Sequence, residues 1–282
     1  MKSFNYKKKF GQNFLKDVNL VDRIASVPDI TKDDLVIEVG PGKGILTAQL
    51  ALRAKQVLAY EIDKELKDDL SVLVEKYKNI DIIYDDFINR NICEDIKNYK
   101  YKNIYFVSNV PYYITTPILM KLMDCGIDFK KIVMMIQKEV GNRFSAKPNS
   151  KEYSSITVYL NYFYDIKKEF NVSRYEFVPV PKVDSVVVSF TTKNSLLPLN
   201  NKDIFFKLVR DSFQYKRKTI KNNLYNYDLK IVEKVLNNNG YDLSVRAEQL
   251  PLDVYVELAN ELSWIEKMWF HIFFCNKLVF FS

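Results

Sequence analysis

The stretch from Asp34 to Ala54 constrains this chain more than any other. Asp34-Leu-Val-Ile-Glu-Val39 is an apolar run of strand length, and Ile45 to Ala54 has helical spacing. Between them lie Gly40, Gly42 and Gly44, three of only seven glycines in 282 residues. Such a concentration marks a turn whose backbone must approach a ligand closely, which only glycine permits. A buried strand that turns through glycines into a helix is the opening move of a parallel α/β fold.

The alternation continues along the chain. Gln56–Ile62, Asp81–Tyr84, Asn103–Ser108, Lys131–Ile136 and Val183–Phe190 read as strands, and Lys64–Tyr77 and Thr116–Met123 as helices. Segments near Glu152–Phe163 and Lys167–Val172 extend the pattern. Strands alternating with helices imply a mainly parallel sheet covered on both faces. Residues 1–195 are therefore expected to form one α/β domain. A low-complexity patch, Thr191–Asn201, reads as a linker, and residues 202–262 as a small all-α domain. Residues 263–282 form an atypical tail with both tryptophans, five phenylalanines and the single histidine, His271.

That histidine count excludes a Ser-His-Asp mechanism and a histidine-rich metal site in the main domain. Cys93, Cys125 and Cys275 are far apart in sequence with no Cys-x-x-Cys pair, so no zinc site is expected and a reducing, cytoplasmic setting is. No apolar h-region follows Lys7-Lys8-Lys9, and no stretch of residues 1–262 is long and apolar enough to span a membrane. The balance of 42 basic to 35 acidic residues favours a polyanionic partner.

The glycine loop alone suits NAD enzymes and methyltransferases equally. Glu61, ending the second strand, stands where an acid accepts hydrogen bonds from both ribose hydroxyls of such a cofactor. Asp86, after the third strand, can hold the adenine amine. Glu38, just before the loop, can face a cationic group. The choice falls on Asn109-Val-Pro-Tyr112, which follows the fourth strand. An exocyclic base amine is a poor nucleophile because its lone pair is delocalised into the ring. An enzyme that alkylates it needs two acceptors for the N–H groups and a flat surface for the base. Asn109 offers a side-chain oxygen, Val110 a carbonyl in backbone held extended by the following proline, and Tyr112 a ring. Tyr113, beside it, is expected to pack in the core. The tetrapeptide resembles the Asn-Pro-Pro-Tyr type motif of N6-adenine methyltransferases, which selects S-adenosylmethionine as cofactor.

The whole chain from about residue 6 to 262 resembles the KsgA-type small-subunit ribosomal RNA adenine dimethyltransferases. The resemblance rests on Phe10-Gly-Gln-Asn-Phe-Leu15, Ile37-Glu-Val-Gly-Pro-Gly-Lys-Gly44, Glu61-Ile-Asp63 and Asn109-Val-Pro-Tyr-Tyr-Ile-Thr-Thr-Pro-Ile118. Val180-Pro-Lys-Val-Asp-Ser185, Arg217-Lys-Thr219 and Arg246-Ala-Glu248 add to it. It implies a Rossmann-like methyltransferase domain with a seven-stranded sheet, an N-terminal segment lying over the cofactor, and a helical RNA-binding domain. It places cofactor contacts at Asn13, Leu15, Gly40, Glu61, Asp86 and Asn109. It implies transfer of two methyls to N6 of each of two adjacent adenosines in a hairpin loop near the 3′ end of small-subunit RNA. The implied partner is that RNA within a pre-assembled small subunit, met by a monomer with no metal. The family's tetrapeptide usually has leucine where Val110 stands.

Positive charge is concentrated where such a substrate needs it. Residues 1–16 carry five lysines and no acid, and residues 202–234 carry nine basic and four acidic residues. Arg210, Lys216, Arg217, Lys218 and Lys221 form the densest group, interleaved with Phe213 and Tyr215, and are the expected RNA contacts. Two other readings compete. One is a large-subunit adenine methyltransferase of the macrolide-resistance type, which shares the cofactor loop and a similar tetrapeptide. The other is a small-subunit assembly checkpoint that acts by binding.

Overall fold

The computed structural model describes residues 14–263. They fall into two compact units, one of residues up to 141 with 165–192, the other of residues 142–164 with 193 onward. The expected cofactor contact at Asn13 and all of the expected tail, residues 263–282, except Ser263 lie outside the described residues.

The first unit is built on a seven-stranded sheet. In chain order its strands are β2 (Leu35–Val39), β3 (Gln56–Tyr60), β4 (Ile80–Ile83), β5 (Ile104–Asn109), β6 (Lys131–Gln137), β7 (Tyr164–Val172) and β9 (Ser185–Thr192). In space they run β4-β3-β2-β5-β6-β9-β7. From β4 to β6 all neighbours are parallel, and β9 turns antiparallel against β6 with Gln137 opposite Ser185. All five residues of β2 are buried, as a central parallel strand covered on both faces requires. One face packs Val36, Val57, Val107 and Val133 against helices α1 (Val18–Ser26) and α2 (Ile45–Arg53), through Ile24 and Leu50. α1 starts at Asp17, whose carboxylate accepts the Asn19 N–H at 2.8 Å.

The order of the strands fixes where a ligand can sit. The chain proceeds from β2 outward to β3 and β4, then returns to place β5 on the other side of β2. That reversal opens a crevice at the carboxyl ends of β2 and β5, where open α/β sheets bind ligands. Gly40 follows β2 and Asn109 ends β5, so the two motifs singled out in the sequence meet there.

A two-stranded ribbon lies outside the main sheet. β1 (Phe14–Leu15) pairs antiparallel with β8 (Phe177–Val178), Leu15 opposite Phe177. Strands of two residues carry no readable periodicity, so the sequence does not announce them. The short helices α4 (Ile92–Ile96) and α6 (Lys138–Phe144) escape a sequence reading for the same reason. Cys93 and Cys125, distant in sequence, come together: the Cys93 thiol donates to the Cys125 carbonyl at 3.3 Å, and both are free thiols.

The helical unit is larger than residues 202–262. α7 (Ser155–Phe163) belongs to it, with Tyr153, Val158 and Tyr162 in one core with Phe205, Leu208 and Val209 of α8 (Lys202–Ser212). Tyr159 donates its hydroxyl to the Phe206 carbonyl at 2.7 Å. The apolar spacing of α7 shows a buried face but not which layer buries it. The expected boundary near residue 195 is thus one of three crossings between the units. The expected linker begins inside β9, and its later part is held within the helical unit: Lys193 N–H donates to the Phe163 carbonyl at 3.0 Å and Asn200 N–H to the Asn260 side chain at 2.8 Å. The remaining helices are α9 (Ile220–Asn223), α10 (Leu229–Asn238) and one over residues 252–263. Among the described residues no helix is long and apolar enough to cross a membrane.

Candidate active site

A cavity of about 340 Å³ opens in the crevice at the carboxyl ends of β2, β3 and β5. Its floor is the glycine turn. Gly40 has φ +70° and donates its N–H to the Tyr60 carbonyl at 2.8 Å, tying the turn to the end of β3. Gly42 has φ +59°, and a Cβ there would stand 2.7 Å from the Phe14 ring. Both conformations are ones that L side chains resist. On its other side the turn backs onto the tetrapeptide: a Cβ on Gly40 would meet Pro111 at 3.7 Å. Glycine turn, tetrapeptide and the β1 ribbon therefore enclose one space, with Leu15 also on its wall.

Two acids in that wall are almost fully buried. Glu61, 4 % exposed, accepts the Gly42 N–H at 3.1 Å on one oxygen and the Asp63 N–H at 2.8 Å on the other. Burial pushes its carboxyl above the usual range, and those two backbone bonds oppose the shift. Glu38, 1 % exposed, is less well served: its Oε2 has no hydrogen-bond partner among the described residues. Burial pushes its carboxyl up to about 8, with Thr47 opposing and the charge of Glu61 adding. A buried carboxyl oxygen without a partner costs free energy unless a ligand supplies a donor or a positive charge.

Asp86 lies at the far end of the cavity. It caps the single turn Phe87–Asn89, accepting the Ile88 N–H at 2.9 Å. Leu15, Gly40, Glu61, Asp86 and Asn109 thus line one cavity, as the sequence reading requires of a cofactor site. A loop of glycine backbone, an acid beside it and an uncompensated carboxyl suit a nucleoside joined to a cationic group, which is the make-up of S-adenosylmethionine.

The tetrapeptide forms the remaining wall. Asn109 is paired with Met135 across β5 and β6. Val110 is 1 % exposed, lines the cavity and donates its N–H to the Met135 carbonyl at 3.3 Å. Pro111, with φ −54° and ψ 129°, turns the chain into the single turn Tyr112–Ile114. The Tyr112 hydroxyl lies 2.7 Å from Ser185 Oγ, at the start of β9. Burial pushes that hydroxyl's pKa up. Tyr113 departs from the expectation of core packing: it is 55 % exposed and stands on the cavity rim. Two adjacent residues of a turn point to different sides, and the outer one has no core to enter. Tyr113, on the cavity wall, and Ser185, bonded to Tyr112, are among the residues whose place the sequence reading did not foresee. Ser185 sits in a quoted motif, but a serine 73 positions from Tyr112 carries no pairing signal.

The five basic residues belong to the helical unit, and none of them lines this cavity. Arg210 is on α8, Lys216, Arg217 and Lys218 are on the segment after it, Lys221 is on α9, and all are exposed. That segment is shaped by Asn223, 5 % exposed, whose side chain accepts the Tyr215 N–H at 3.1 Å and donates to the Tyr215 carbonyl at 3.3 Å. Tyr215 is exposed with them. Phe213 is not interleaved at the surface: its ring stacks on buried Tyr255 at 6.0 Å between centroids. Among the described residues no cluster of three metal-ligating side chains occurs.

Comparison with known proteins bears on the same features. The family model described as ribosomal RNA adenine dimethylase matches residues 3–263. The chain is 44 % identical over 257 residues to the ribosomal RNA small subunit methyltransferase A of Aster yellows witches'-broom phytoplasma, covering 89 % of this chain and 94 % of that protein. Among solved structures, a dimethyladenosine transferase from Plasmodium falciparum is similar, with TM-score 0.71, 28 % identity, and coverage of 87 % of this chain and 95 % of that one. The 23S rRNA methyltransferase ErmE is similar at TM-score 0.70 and 26 % identity, with 89 % and 100 % covered.

Proposed function

The chain belongs to the ribosomal RNA adenine dimethylase family, and from that membership we propose how its own residues carry the reaction. The protein is an S-adenosylmethionine-dependent methyltransferase that dimethylates adenine N6 in small-subunit ribosomal RNA. The large-subunit reading is not favoured: the small-subunit relative is 44 % identical and ErmE 26 %. The proposed target is two adjacent adenosines in a hairpin loop near the 3′ end of that RNA. Loop bases are unstacked and can be splayed into a pocket, which duplex bases cannot.

The observation that carries the site assignment is the abutment of Gly40 on Pro111, which joins the glycine turn and the tetrapeptide around one cavity. Glu61 holds the ribose, Asp86 the adenine amine, and Gly40, Leu15 and Asn109 line the space between them. Glu38 faces the cationic amino-acid end. The cofactor, when bound, supplies an activated methyl on a sulfonium. The Asn109 side-chain oxygen and the Val110 carbonyl accept the two N–H groups of the target amine and draw it toward tetrahedral geometry. Tyr112, anchored at its hydroxyl by Ser185, offers its ring face to the base. No general base is needed, since a proton can leave to water afterwards. Alignment and exclusion of water supply most of the rate. The exposed bases Arg210, Lys216, Arg217, Lys218 and Lys221 contact phosphates.

The protein is proposed to act as a monomer, in the cytoplasm, on pre-assembled small subunits. Tritium transfer from labelled S-adenosylmethionine to under-methylated small subunits, with bare RNA as comparison, tests this. The particle is expected to be labelled and bare RNA much less so. Primer extension, run on both RNAs after the enzyme is offered small and large subunits together, then maps the modified bases, and a stop in large-subunit RNA alone would overturn the assignment.

A further inference from the structure

Tyr113 is a large ring left 55 % exposed on the wall of the cavity. It is the second residue of the turn Tyr112–Ile114, and α5 (Thr115–Asp124) grows directly out of that turn. α5 packs on the Phe87–Asn89 turn that Asp86 caps. Lys121 of α5 fixes that contact, donating from Nζ to the Ile88 carbonyl at 2.8 Å and to the Arg90 carbonyl at 2.6 Å. The segment bearing Tyr113 and the segment bearing Asp86 are thereby braced together, and both residues line the cavity.

We infer that Tyr113 is a cofactor-binding residue, whose ring closes over the adenosine end of the S-adenosylmethionine site opposite the turn that Asp86 caps. This rests on the reading of the cavity as the cofactor site. The two neighbouring tyrosines divide the cavity. Tyr112 is turned toward β9 by its bond to Ser185, the side where Asp184 is its charged neighbour. Tyr113 is turned the other way. Its charged neighbours are Asp86 and Glu61, the two acids assigned to adenine and ribose, and both push its hydroxyl pKa up alongside burial. An aromatic face stacks on any purine, and burying a half-exposed ring against one also removes apolar surface from water. The inference assigns no role to the hydroxyl.

The test separates the adenosine end from the rest. S-adenosylhomocysteine and 5′-methylthioadenosine, which lacks the amino-acid end, are titrated by calorimetry into wild type, Tyr113→Ala, Tyr113→Phe and Glu61→Ala. Hairpin RNA affinity is followed by anisotropy. Tyr113 sits on an exposed turn, so the fold is expected to survive, and thermal melting checks it. Tyr113→Ala is expected to weaken both ligands by about 5- to 20-fold, by a common factor, with RNA affinity unchanged. Tyr113→Phe is expected to bind within about twofold of wild type. The inference is overturned if Glu61→Ala loses S-adenosylhomocysteine while Tyr113→Ala binds both ligands normally. It is equally overturned if Tyr113→Ala weakens S-adenosylhomocysteine alone, or weakens RNA instead. If Glu61→Ala also binds normally, the cavity assignment fails and takes the inference with it.

Discussion

At the level of single residues, burial and one hydrogen bond decide which groups can do chemistry. Asn109 stands at the end of a central strand, so its position is fixed by sheet pairing rather than by a loop. Asn109→Ala removes one acceptor from the target amine, and the loss of such a transition-state interaction is worth about 2.7–4 kcal/mol, or roughly 10²–10³ in kcat. Methylation by the variant at the wild-type rate would exclude the proposed role. The Tyr112 hydroxyl, to which no sequence motif assigns a task, is bonded to Ser185. Tyr112→Phe strands a fully buried serine oxygen and is expected to cost about 1–3 kcal/mol of stability, seen in denaturant unfolding, with the stacking face kept. Tyr112→Ala loses that face as well, so its kcat should fall much further. Glu38 makes a claim on pH. Its carboxyl is raised from an ordinary 4.5 to about 8, so the folded protein binds its proton more tightly than the unfolded chain does. The stability this contributes is fully present at pH values below 4.5 and is lost as pH rises toward 8. A cationic ligand group favours the ionised form, so cofactor binding near neutral pH should release a proton from Glu38. Calorimetry in two buffers of different ionisation enthalpy reads that release, and Glu38→Gln should abolish it. Equal buffer dependence in the two proteins would remove Glu38 from the site.

At the level of elements, the glycine turn is a joint between three segments. Gly42 lies at φ +59° with the Phe14 ring where a Cβ would go, and its N–H is held by Glu61. Gly42→Ala must both hold a left-handed backbone, at about 1–2 kcal/mol, and displace Phe14. A lower melting temperature together with weaker cofactor binding is expected. A melting curve and affinity like wild type would show that the turn relaxes and the β1 ribbon does not press on it. What can be read from sequence follows the length of each element. β2, β5, β6 and α2 are legible to within a residue or two, because five or more residues of one pattern outweigh local accidents. The β1–β8 ribbon is not, since its partners are two residues long and more than 160 positions apart. Residues proposed for the site are legible where they stand at or just past a strand end, as at Gly40, Glu61, Asp86 and Asn109. They are illegible where side chains meet across the fold, as at Ser185. α7 shows the same limit, for its buried face is visible in the sequence and the unit that buries it is not.

For the molecule as a whole, charge is distributed unevenly. The helical unit carries the exposed group Arg210, Lys216, Arg217, Lys218 and Lys221, while the cavity of the other unit is lined by Glu38, Glu61, Asp85 and Asp86 with Lys43. We therefore propose that the polyanion is drawn to one unit and the cationic small molecule to the other. Within the basic group the residues are not equivalent. Arg210 stands 3.6 Å from Asp211, and Lys216 donates to the Lys151 carbonyl at 2.7 Å. Arg217 and Lys218 are carried on the segment that Asn223 shapes, with the Lys218 carbonyl held at 3.5 Å by the Asn223 amide. Lysines and arginines that neutralise phosphates release counterions, so log K for RNA should fall linearly with log salt. Replacing Arg217 and Lys218 by alanine should reduce that slope by about one unit for each phosphate left unneutralised, uniformly across RNA sequences. Arg210→Ala should reduce it less, because Asp211 already offsets part of that charge. Cofactor affinity should be unchanged in both variants, since none of these residues lines the cavity. A salt slope unaltered in the Arg217→Ala, Lys218→Ala double variant would mean that the RNA backbone is held elsewhere, and the lysines of residues 1–16 would then be the next group to replace.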